Sequence, residues 1–152
     1  MTVEGLSRLR TKLTKTIPAA AKTRIREALE ASADEAVMQM KRLAPVDDGD
    51  LQMSISWTWG DAPKGAMTIA TSSKSVDGMR ITIFAGNAKA YYARFVEFGT
   101  SPHVNAGKFA GSRNPGTKAQ PFFYPGWRLA RRKAKGRVSR AIRKAAKEAA
   151  AT

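Results

Sequence analysis

The sequence predicts an α+β domain: a long N-terminal helix packed on an antiparallel β meander, with a basic C-terminal helix and a long mobile loop. Three observations predict it. Apolar residues recur at helical spacing from about residue 18 to 43 and again after Pro125; between them "SISWTW", "AMTIATS" and "GMRITIFAG" alternate with period two; and the turn-rich "GDAPKG" and "KSVDG" separate those runs. A chain of 152 residues with 43% hydrophobic content supplies one core and not two. The expected organisation is an N-terminal helical extension over 1–17, a single domain over 18–130 with its mobile loop at 100–118, and a basic helix over 131–152.

In chain order, Val3, Leu6, Leu9 and Leu13 form a narrow apolar stripe on a charged helical candidate over residues 3–15. Pro18 suits the first turn of the next helix, whose inward residues Ile25, Leu29, Ala33, Ala36, Val37, Met40 and Leu43 keep the 3.6 period until Pro45. About 26 residues at 1.5 Å each give a rod of roughly 39 Å, long enough to span a small sheet. In "APVDDGDLQMSI", Asp47, Asp48 and Asp50 do not fit a calcium loop, since the required downstream glutamate is missing. Asp47 or Asp48 is instead expected to cap a short helix through Leu51 to Ile55.

After the strands, "YYARFVEFGT" fits both periods, and a short helix is favoured because Gly99 sits where a helix C-cap glycine would. Residues 100–118 are rich in Gly, Pro, Ser and Asn and read as a functional or mobile insertion. Pro125 then opens the last helix, with Trp127, Ala134, Val138, Ala141, Ile142 and Ala145 inward and Gly136 weakening it by roughly 1 kcal/mol relative to alanine. Its last turns are expected to need a neighbour.

The residue types exclude several chemistries. Without cysteine there is no disulfide scaffold, thiol catalysis or cysteine-ligated metal, and the lone His103 does not make a histidine metal site. Phosphate-binding, nucleophile-elbow and zinc-protease motifs are missing, and Asp50 with Glu97 is no general acid–base pair without a fixed separation. Neither an enzyme, a cofactor nor a metal is expected. No apolar run of 18 residues and no signal-peptide h-region is found, so no membrane partner and a cytoplasm-like site of synthesis are expected. Glu97 lies among Phe95, Val96 and Phe98 and has two readings: a solvated charge, or a partly buried carboxylate clamped by an arginine such as Arg94 or Arg128.

The net charge of +15 is concentrated at the C-terminus, where Arg128, Arg131, Arg132, Lys133, Lys135, Arg137, Arg140, Arg143, Lys144 and Lys147 meet only Glu148. Ten cations against one acid place +9 of the +15 there. Such a segment points to an acidic partner, either nucleic acid or a protein surface.

Three segments carry a resemblance. "APVDDGDLQMSI" resembles A-P-V-D-T-G-x-L-x-x-S-I, "YYARFVEFGT" resembles Y-A-x-x-V-E-F-G-T, and "AQPFFYP" is similar to R-P-F-x-x-P. In this order they resemble the small neck-region proteins of long-tailed bacteriophages, the family of the tenth gene product of lambdoid siphophages, over residues 20 to 145 or so. Pro45, Asp47, Gly49, Leu51, Ile55, Tyr92, Val96, Glu97, Phe98, Gly99, Thr100, Pro121, Phe122 and Pro125 are the matched positions. Asp48 stands in place of the usual Thr, Gln120 in place of the common Arg, and the basic tail is longer than the pattern requires.

The resemblance implies a virion structural protein of the head-to-tail junction, assembled in the bacterial host cytoplasm as a ring around the DNA passage. A hexamer is the first expectation and a dodecamer the alternative. Implied partners are further copies of the chain and adjoining head-closure or tail-tube proteins, together with nonspecific contact to packaged DNA. From the charge pattern, Arg131, Arg132, Lys133, Lys135, Arg137, Arg140, Arg143 and Lys144 are the candidate contacts to an acidic protein partner or to DNA. The competing class is a small nonspecific nucleic-acid-binding protein, against which stands the lack of any helix-turn-helix, RNA-recognition or zinc-finger signature.

Overall fold

The computed structural model describes residues 19–68 and 79–151. The expected helix over 3–15, the alternation at Ile69 and the "KSVDG" turn lie outside the described residues. The elements in order are α1 (Ala19–Leu43), α2 (Asp50–Ser54), β1 (Ser56–Trp59), β2 (Met67–Thr68), β3 (Ile81–Ala85), α3 (Ala93–Phe98), β4 (His103–Val104), a 3-10 turn (Gly107–Phe109), β5 (Arg113–Asn114) and α4 (Phe123–Ala150). The α+β architecture is as expected, with α1 against a small antiparallel sheet and a long basic C-terminal helix.

α1 and α4 pack side by side along most of their lengths, their chains running in opposite directions. Met40 near the end of α1 meets Gly126 at the start of α4, and Ala21 and Ile25 near the start of α1 cluster with Ala145. Small residues make the approach close: Ala33, Ala36 and Ala44 on one side and Ala130, Ala134, Ala141 and Ala145 on the other are all buried. A Cβ on Gly126 would lie 2.6 Å from the Met40 side chain and 2.8 Å from its Cα, so only glycine fits this crossing. A polar seam adds register. The Arg137 guanidinium reaches Glu35 at 2.6 Å and the Ser32 hydroxyl at 3.1 Å, while Lys133 lies 3.4 Å from the other Glu35 oxygen. Hydrogen bonding to Arg137 holds the Glu35 carboxyl below its usual range, against a smaller opposing push from burial.

The helical period places most inward residues correctly, with two corrections. Leu43 is exposed and Ala44 is buried in its place, because α1 ends there and the chain turns. Ile142 is exposed at 47%, since the contact face of α4 follows Ala134, Ala141 and Ala145. α4 continues through Gly136 to Ala150 without a break, and across position 130 as well.

The strands are antiparallel, but their order is β1-β3-β2 and not sequential. β3 is central, pairing Trp57 with Ile83 and Trp59 with Ile81 on one side, and Met67 with Ala85 on the other. Two hydrogen bonds fix the sheet on α1: the Trp57 indole N–H donates to Asp34 at 2.7 Å and that of Trp59 to Glu30 at 3.0 Å. Positions i and i+4 on the helix thus meet i and i+2 on the strand, about 6 Å apart in each. Arg26 stacks 4.7 Å over the Trp59 ring and completes the contact. Ile55, Met40, Phe122 and Phe123 are fully buried at the core, each side chain contributing about 2–3 kcal/mol by removal from water.

Candidate assembly interface

The start of α4 is built by a residue distant in sequence. Glu97, at 3% exposure, points its carboxylate at three backbone N–H groups: Phe122 and Phe123 donate to Oε2 at 2.7 and 2.8 Å, and Tyr124 donates to Oε1 at 3.1 Å. Pro125 follows with no N–H, and Gly126 donates the first intrahelical bond to Phe122 O at 3.0 Å. Every donor that a helix start leaves free is therefore satisfied. This corrects the arginine clamp: Glu97 is buried, but its partners are backbone groups, and Arg94 and Arg128 are exposed. Negative charge at a helix N-terminus is further favoured by the aligned peptide dipoles.

The capping of α2 is corrected as well. Its N-cap is Gly49 in the left-handed region at φ 83°, no side chain caps it, and Asp47 and Asp48 are exposed. Gly49 itself turns the chain, with Met53 N donating to Gly49 O at 3.0 Å. The helix ends at Ser54, and Ile55 serves as C-cap and core residue.

α3 forms where the ambiguous period was read as a helix, and Gly99 closes it at φ 72°. The chain crosses itself there. A Cβ on Gly99 would approach Thr117 O to 2.6 Å and Ala119 N to 2.8 Å, and Gln120 N donates to Val96 O at 2.8 Å. The segment over 100–118, expected as a long mobile loop, carries local structure and forms a hairpin arm. Thr100 and Thr117 bridge at its base, β4 pairs with β5, and Asn105 Nδ2 donates to Ser112 Oγ at 2.9 Å near the tip. Two-residue strands carry too little apolar alternation to be seen in sequence.

These pieces enclose an open groove of about 1180 Å³. Pro45, Asp47, Gly49 and Leu51 of the first motif, Tyr92, Val96, Gly99 and Thr100 of the second, and Gln120 beside the third all line it. Of the other matched positions, Ile55, Glu97 and Phe122 are buried, Pro121 is exposed, and Pro125 lies inside the first turn of α4. Phe98 points outward at 60% exposure, with its ring 5.9 Å from that of Tyr124. Burial first, then the nearby Asp50, Asp48 and Asp47 carboxylates, push the Tyr92 hydroxyl above its usual pKa. Val46 and Phe95 also line the groove and are 67% and 50% exposed, while Tyr91 beside them and Val104 and Phe109 on the arm are 73%, 63% and 71% exposed. The arm's apolar residues were missed in sequence, although "GKFAG", an aromatic between glycines, signals an exposed tip.

The basic residues lie elsewhere, along α4. Arg131, Arg132, Lys133, Lys135, Arg140, Arg143 and Lys144 are exposed, whereas Arg137 is half-buried and, like Lys133, engages Glu35. Among the described residues no group of three or more His, Asp and Glu side chains is placed to hold a metal, and no helix is long and apolar enough to cross a membrane.

A family model described as "Bacteriophage HK97-gp10, putative tail-component" matches residues 7–99, more than half of the chain. The chain belongs to this HK97-gp10 family of bacteriophage tail components. The description of the family as a tail component points to the phage particle. The match contains the first motif and the second up to Gly99, and ends before Thr100, the arm and α4. No curated protein and no solved structure matches the chain.

Proposed function

We propose that this HK97-gp10 family member is a structural subunit of the head-to-tail junction, a neck, tail-completion or tail-terminator protein that forms a ring around the DNA passage. The observation that carries the proposal is a division of the surface. Exposed Val46, Tyr91, Phe95, Phe98, Val104 and Phe109 lie in the motif segments and the arm, while α4 presents chiefly cations, with Leu129 and Ile142 exposed among them. Exposed apolar side chains gathered in this way mark association surfaces, and an arm with a groove at its base suits the head-to-tail contacts from which rings are made. A hexamer is favoured by the symmetry of phage tails, with a dodecamer as the alternative. The cations suit acidic surfaces on adjoining head-closure or tail-tube proteins and weak, sequence-indifferent contact with the DNA in transit. No catalytic role is assigned.

Deleting the gene tests this. Electron microscopy of the lysate should show filled heads beside unjoined tails, or tails of abnormal length. Normal infectious particles lacking the protein would contradict it. The second reading, a nonspecific nucleic-acid-binding protein, is favoured by Arg131, Arg132, Lys135, Arg140, Arg143 and Lys144, which have no ion-pair partner among the described residues.

A further inference from the structure

We propose that the groove formed by the family motifs receives the hairpin arm of a second copy of this chain, with Phe109 of that copy as the inserted side chain. The inference rests on the ring reading and deepens it by naming both halves of the contact. The groove has an apolar lining in Val46, Leu51, Phe95 and Val96, and Val46 and Phe95 are at least half exposed without a partner. The arm carries a matching group: Phe109 sits in the 3-10 turn at its tip and is 71% exposed.

Charge decides what occupies the groove. Beside it lie Asp47, Asp48 and Asp50, three of the chain's 12 acids within four positions, and none has an ion-pair partner among the described residues. On the arm, Lys108 adjoins Phe109 and Arg113 lies on the strand behind it; both are exposed and likewise unpaired among the described residues. An apolar knob flanked by cations thus faces an apolar groove whose three neighbouring carboxylates outnumber the one lysine in its wall, Lys118, within a chain whose net charge of +15 otherwise opposes self-association.

The contact forms between copies and not within one. The base of the arm, at His103, Asn114 and Thr117, walls its own groove, whereas Phe109 at the tip is not among the groove's lining residues. From the Thr100–Thr117 bridge to Gly107 the arm runs about seven residues, which at about 3.3 Å each gives a reach of roughly 20 Å. Because arm and groove are different surfaces, each docked copy offers a free groove to the next, and the series closes if the rotation allows.

The chain contains no cysteine, so introduced thiols report without background. Mixing Ala110→Cys, beside the inserted Phe109, with Lys118→Cys on the groove wall and adding a short bismaleimide should give a covalent dimer that neither variant gives alone, and the double variant should give a ladder. In sedimentation velocity, Lys108→Glu with Arg113→Glu should weaken assembly roughly tenfold or more, as should Asp47→Lys with Asp48→Lys. Mixing these two reversed chains should restore both contacts and give alternating assemblies that neither forms alone. Far-UV circular dichroism keeps misfolding distinct from failed docking. Wild-type rings indifferent to both reversals, with no mixed cross-link, would overturn the docking proposal and leave the ring reading standing. A wild-type chain that stays monomeric at its highest soluble concentration, without cross-links, would overturn both.

Discussion

The carboxylate of Glu97 accepts the backbone N–H of Phe122 at 2.7 Å across 25 positions of sequence, and so joins the second family motif to the third. With Phe123 and Tyr124 completing the set, one buried side chain ties α3 to the start of α4. Glu97→Ala strands these donors and should destabilise the fold by roughly 3 kcal/mol, the scale for removing the partner of buried hydrogen-bonding groups. Glu97→Gln keeps one acceptor oxygen but opposes an amide N–H to a backbone donor, and should cost about half as much. Urea denaturation measures both. A loss under about 0.5 kcal/mol for Glu97→Ala would mean that the bonds contribute little.

Gly126 and Gly136 lie in the same helix and should respond oppositely to alanine. At Gly126 the new Cβ meets Met40 backbone atoms at 2.8 and 2.9 Å, and the overpacking should cost about 1–3 kcal/mol. At Gly136 it meets only the movable end of Arg140 at 3.3 Å, so helix propensity should dominate and add up to about 1 kcal/mol. Thermal unfolding of the two variants decides it through the sign of each shift.

Glu35 should make the helix pair sensitive to acid. Its folded pKa is lowered from 4.5 chiefly by the Arg137 hydrogen bond, so its contribution is present above the unfolded value and is lost as pH falls through the folded one. The stability difference between wild type and Glu35→Gln should therefore be constant at neutral pH and shrink below about pH 4.5. Denaturation midpoints across that range test it, and a difference that does not change with pH would contradict the assignment.

DNA binding through α4 should be weak, with a dissociation constant of about 10⁻⁴ to 10⁻⁶ M at physiological salt, and indifferent to sequence. Replacing Arg131, Arg132 and Lys135 by alanine should reduce the slope of log affinity against log salt by about 0.9 for each phosphate that is no longer neutralised. Replacing Arg137, which is engaged with Glu35, should act on stability more than on the slope. A preference of about a thousand-fold for one duplex over random competitor would favour a dedicated DNA-binding protein.

The helical stretches were legible because Ile25, Ala33, Ala36 and Met40 repeat with the period of the helix and are buried in that order. The partner of α1 was not legible. Its contact with α4 depends on Gly126 and a row of alanines, which carry little hydropathic signal although their small size permits the approach. Glu97 stood out as an acid among aromatics, yet its partners are backbone groups, and a sequence displays only side chains. Similarly, period two identified β1 and β3, whereas the central place of β3 depends on pairings between segments that turn residues alone do not order. The motif positions were legible as a resemblance. Their convergence on one groove was not, because it depends on Gly99 letting residues 117–119 cross beneath α3.

The place of the protein in the particle is tested most directly by gold-labelling an affinity tag at its C-terminus on intact virions and imaging them by electron microscopy. A junction ring predicts label confined to the joint between head and tail on each particle. Label distributed along the tail tube, gathered at its distal tip or missing from finished particles would contradict it.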